Sequence, residues 1–200
     1  MLNYLLAEVA LPGYAVECNG MRVHFEALEE PWQEVSRPAL IAWLIFYGLV
    51  LLFAAADDDG FLFIDNANLL VHEAGHLLFS YLGDTLALWG GTLFELFVPA
   101  ALAVTFVFRR HLAGAAFCAF FFFENFLYIA TYMADARRQE LPLVSVGGGD
   151  TEHDWFLIFS SLGLLNYDTT IAGLTRALGW LGMLATMVWF AYRALSPRTE

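Results

Sequence analysis

Five apolar stretches, each close to the roughly 20 residues that cross a bilayer, recur along this chain: Ala39 to Ala56, Phe61 to Leu82, Thr92 to Phe108, Leu112 to Met133 and Ile171 to Leu195. In lipid a backbone N–H or C=O finds no water, so each segment must satisfy its own groups, and a helix does so within one stretch of chain. The expected fold is therefore all-α, a polytopic transmembrane helical bundle of about five spans. A shorter apolar piece, Trp155 to Leu165, is too brief to span and is expected to lie at the interface or to re-enter. Composition agrees. Hydrophobic residues make up 60% of the 200-residue chain and aromatics 16%, and the mean hydropathy of +0.61 exceeds what a soluble domain of this size needs.

Outside the spans, residues 1–38 form an expected extramembrane segment and residues 196–200 a tail, with the bundle at 39–195 and a long loop at 134–154. The amino terminus lacks the basic start of a secretory signal and Glu8 interrupts its apolar run, so it is expected to stay attached. Within it, "YAVECNGMRVHF" alternates polar and apolar residues around Asn19-Gly20, a dipeptide that favours a tight type I′ turn, so a small β-hairpin is expected there. The net charge of −12 argues against a nucleic-acid partner and gives no basic anchor for anionic lipid, so the lipid bilayer is expected as a partner through the apolar spans alone. The arginines do not fix an orientation across it. Cys18 and Cys118 fall in different environments, so no disulfide between them is expected, and neither has a metal-binding spacing.

The second apolar stretch carries polar residues that lipid does not tolerate without a reason. At about 100° per residue, Asp65, Asn68, His72 and His76 share one narrow helix face, with Glu73 and Ser80 toward its edge. Hydrogen bonds between helices would account for Asn68 or Ser80. They account poorly for two histidines and a glutamate spaced H-E-x-x-H, as in His72, Glu73, Ala74, Gly75, His76. Four residues are just over one turn, so both imidazoles can reach one metal ion while Glu73 points toward the water it would activate. Zinc suits this donor set. Glu73 is then the expected general base, and afterwards the general acid toward the leaving amine, of a hydrolase. Ala74 and Gly75 would let another helix approach closely.

Catalytic zinc normally has three protein ligands and an open position. Three candidates for the third ligand follow from the sequence. Glu124, Tyr128, Thr131 and Asp135 recur at helical spacing along the fourth span, with Asn125 and Tyr132 flanking, and form a second polar stripe ending in Asp135. His153, in "TEHDW", is a good donor on a loop that would have to fold over the site, with Asp154 placed to orient it. Glu124 would sit deeper, as a ligand or as a protonated acid bonded between helices.

"VHEAGH" inside a membrane helix, followed by a Gly-Gly segment and then an asparagine-bearing helix that ends in an aspartate, resembles the site-2 protease type of intramembrane zinc metalloprotease, the M50-like group. The resemblance covers residues 60–136 and its specific part is "HEAGH". It implies zinc held by His72, His76 and Asp135, catalysis by Glu73, and Asn125 in the place of the family's upstream asparagine. The chain departs from the family pattern by having Met133-Ala134 before Asp135 and Ala136 after it. The later "ADAR…LP…HDW" arrangement is similar to that of bacterial M50-like membrane proteins, which keeps His153 as the alternative third ligand and implies the bacterial inner membrane. The resemblance also implies that "GDTLALWGG", residues 83–91, offers an extended edge for an unwound substrate strand.

The function so expected is zinc-dependent hydrolysis of peptide bonds within or beside the bilayer. The substrate would be a membrane protein or a membrane-proximal peptide, and Asp65, Asn68, Glu124, Asn125, Tyr128 and Asp154 would line or support a wet cavity. Two rivals stand beside it. A non-catalytic membrane protein could close a structural site with four ligands, drawing on Asp135 and His153 together. A proton- or ion-coupled transporter would use Asp65, Glu95 and Glu124, although the internal repeat common in transporters is missing from the sequence.

Overall fold

A computed structural model describes residues 30–56, 65–143 and 152–196. Over these residues the chain is all-helical, in the order α1 (Arg37–Ala56), α2 (Asp65–Ser80), α3 (Asp84–Phe108), α4 (Leu112–Ala134), α5 (Asp154–Leu162), a single 3₁₀ turn (Leu165–Tyr167) and α6 (Asp168–Leu195). The expected amino-terminal hairpin lies outside the described residues. Among the described residues four helices, α1, α3, α4 and the 3₁₀ turn with α6, are long and apolar enough to cross a membrane. The protein is a multi-pass membrane bundle, as the apolar stretches require.

The surface fits that solvent. α1 exposes Ile41, Ile45, Leu49 and Leu52, and α6 exposes Leu174, Leu181 and Val188, all more than half accessible. Faces this apolar are stable only against lipid. α4 is the most buried of the crossing helices and forms the axis of the bundle, packed mainly on α6 and α3, while α2 packs on α3. One apolar cluster joins α1, α4 and α6 through Tyr47, Phe120, Met183 and Phe190. A second, built on Ile129, Met133, Trp155, Ile158 and Ala172, seats α5 against α4 and α6.

Two elements differ from expectation. α2 ends at Ser80, short of the expected Leu82. Its end is set by the turn at Leu82-Gly83, where Gly83 adopts φ 110, open to glycine at no steric cost. The helix after that turn starts at Asp84 rather than Thr92, so the expected extended edge at residues 83–91 is corrected: from Asp84 onward it is helix. The reason is packing. A Cβ on Gly75 would collide with the Gly90 carbonyl, and one on Gly90 would lie 2.7 Å from the Gly75 oxygen. Gly90-Gly91 therefore brings the α2 and α3 backbones into contact, an approach only glycine permits.

Candidate functional site

α2 presents His72 and His76 one turn apart, with ring centroids 4.8 Å from each other. The α3 helix crossing at Gly75 and Gly90 sets what each ring meets. His76 Nδ1–H donates to the Ala87 carbonyl at 2.7 Å, and His72 Nδ1 lies 3.2 Å from Glu95 Oε2. Gly91 clears the space for the His72 ring, since a Cβ there would overlap the imidazole. Both Nδ1 atoms thus face acceptors, and both Nε2 atoms point the same way. Each lies 3.1 Å from one oxygen, Oδ2 of Asp154.

Asp154 reaches this position as the first residue of α5. His153 caps that helix, its Nδ1 accepting from Phe156 N–H at 3.2 Å, and Gly163 closes it in the left-handed conformation at φ 68. Tyr132 on α4 holds the Asp154 backbone: its hydroxyl accepts from Asp154 N–H at 3.2 Å and lies 3.4 Å from Oδ2. Burial opposes ionisation of Asp154, yet the hydrogen bonds from His72 and His76 outweigh it and hold the carboxyl at about 2. Burial pushes the His153 imidazole below its ordinary value, which suits a ring whose Nδ1 must accept.

The expected third ligands are elsewhere. Asp135 ends α4 and accepts from the N–H groups of Glu140 and Leu141 at 3.0 Å each. His153 Nε2 lies 3.4 Å from Asp135 Oδ2, close enough for an ion pair but without hydrogen-bond alignment. These two residues face each other and not the α2 pair. The carboxylate brought to the pair is Asp154, assigned from sequence only to orient His153. Among the described residues His72, His76 and Asp154 are the group of His, Cys, Asp and Glu whose donor atoms lie within 4.8 Å of one another.

The other expected polar residues form a second patch along α2, α3 and α4. Asn68 Nδ2–H groups donate to Asp65 Oδ1 at 2.9 Å and to Asn125 Oδ1 at 2.6 Å, and Asn125 Nδ2–H donates to the Glu95 carbonyl at 2.9 Å. Glu124 is fully buried with neither carboxylate oxygen hydrogen-bonded. Tyr128 lies within electrostatic range of Glu73, Asp65 and Glu95. Glu73 itself is half-buried, beside the histidines in the register the motif sets.

The donor set fits zinc. Two imidazole nitrogens and one carboxylate oxygen are the ligand types of catalytic sites, and each Nδ1 faces an acceptor, which turns Nε2 toward the site. The site is closed on the His72 side, 4% exposed at the side chain, and open on the other, with His76 at 23% and Asp154 at 16%. Sequence reasoning gave Glu95 no part in this site. The signal was its position one turn after Gly91, so that the gap and the carboxylate face the same neighbour. Comparison with protein-family models, with curated proteins and with solved structures finds no match.

Proposed function

We propose that the protein is an integral-membrane zinc metallopeptidase that holds its metal through His72, His76 and Asp154. The convergence of both Nε2 atoms on Asp154 Oδ2, from a helix that carries Glu73 next to His72 in sequence, carries the proposal. Zinc bound there supplies Lewis acidity toward a peptide carbonyl and activates water for attack. Glu73 accepts the proton of the attacking water on its carboxylate and returns it to the leaving nitrogen. Asp154, ionised, contributes charge as well as an oxygen donor, and Tyr132 fixes its backbone. Asp135 and His153 are occupied with each other, which leaves three protein donors and favours an open site over a closed structural one. The substrate approaches from the side of His76 and Asp154, as a membrane-embedded or membrane-proximal peptide segment. The resemblance of "HEAGH" to intramembrane zinc proteases extends the proposal to the bacterial inner membrane.

The test is zinc stoichiometry on protein purified in detergent, together with cleavage of a model transmembrane peptide. Wild type should bind one equivalent and His72→Ala should lose it, while Glu73→Gln should keep zinc and lose cleavage. A Glu73→Gln protein that cleaves at the wild-type rate would end the peptidase proposal.

A further inference from the structure

We propose that Glu95 is a positioning residue of this centre: it locks the His72 ring through Nδ1 and so aims Nε2 at a bound metal ion. This rests on the zinc site proposed above and adds to it a residue from a different helix. Glu95 is 2% exposed, and its Oε2 faces His72 Nδ1 at 3.2 Å. The surrounding backbone holds it there. Asn125 Nδ2–H donates to the Glu95 carbonyl at 2.9 Å, and Gly91, one turn earlier, admits the imidazole that Glu95 receives.

Glu95 Oε1 has no hydrogen-bond partner, so the contact of Oε2 with His72 Nδ1 is what engages this buried side chain. The contact also acts through the ring itself: a carboxylate accepting Nδ1–H fixes the tautomer with its lone pair on Nε2 and makes that nitrogen more basic.

The experiment measures zinc affinity by chelator competition, and the visible spectrum of the cobalt-loaded protein, for wild type, Glu95→Gln, Glu95→Ala and His72→Ala in detergent. Glu95→Gln keeps an acceptor for Nδ1–H but a weaker one than a carboxylate, and should weaken zinc by about 10-fold. Glu95→Ala removes the acceptor and should weaken it by about 100-fold, the upper end for partners of ligating histidines, with a shifted cobalt spectrum. If His72→Ala loses zinc while both Glu95 variants bind as wild type does, the role of Glu95 is refuted and the zinc centre stands. Equal binding by wild type and His72→Ala refutes the centre itself, and the role of Glu95 with it. Should Glu95→Ala fail to fold, the isosteric Glu95→Gln decides, and wild-type affinity there overturns the role of Glu95.

Discussion

Asp135 turns one carboxylate oxygen to the N–H of Glu140 and the other to that of Leu141, at the end of α4. Asp154 has one oxygen turned to both histidines. The two residues should therefore fail differently. Asp154→Ala should weaken zinc by at least about 10-fold to 100-fold, the range seen when groups that support a metal site are lost. Asp135→Ala should cost about 0.5–1.5 kcal/mol of stability, as two partly buried hydrogen bonds to Glu140 and Leu141 are lost, with a smaller effect on zinc. Equilibrium dialysis and thermal unfolding separate the two, and the reverse pattern would restore Asp135 as the ligand. For Glu73→Gln, loss of a general base should lower turnover by about 10² to 10⁴ with zinc stoichiometry unchanged, read by peptide cleavage. His72, Glu73 and His76 were legible in the sequence because one helical turn fixes their relation. Asp154 was not, because it comes to His72 across a separation of 82 residues, and nothing local distinguishes it from Asp135.

Among the elements, the α2–α3 crossing decides most. "WGG" reads as a helix breaker, since each glycine costs about 1 kcal/mol relative to alanine inside a helix. Contact between the Gly75 and Gly90 backbones overrides that cost, and Gly91 leaves room for His72. Gly91→Ala should raise local helix propensity yet weaken zinc, because the new methyl must displace the imidazole from its place between Glu95 and Asp154. Circular dichroism should show unchanged or slightly higher helicity while chelator competition shows lower affinity. Wild-type affinity in Gly91→Ala would mean that the ring has slack the packing does not suggest. Helix existence was legible here and helix start was not: the apolar run marked Thr92 onward, whereas the tertiary contact extends the helix back to Asp84.

For the whole molecule, the crossing helices, exposed leucines and isoleucines, and a buried α4 describe a bundle dissolved in lipid. The protein should stay with the membrane fraction after an alkaline carbonate wash and leave it only in detergent; release into the supernatant would contradict the bundle's orientation of apolar faces. At one end, Arg137 ties α4 to α6 through two hydrogen bonds to the buried Asp168, at 2.7 and 2.6 Å, a link between distant segments that no sequence pattern announced. The sequence by itself determined the solvent, the helices, their approximate number and the H-E-x-x-H register, because apolar run length and helical periodicity are local properties that lipid leaves no alternative to satisfy. Only the tertiary structure decided that Asp154 rather than Asp135 meets the histidines, that Glu95 stands behind His72, and that two glycines join helices instead of ending one. Those outcomes depend on which segments pack together across the bundle, and the chemistry of each residue alone allows more than one arrangement.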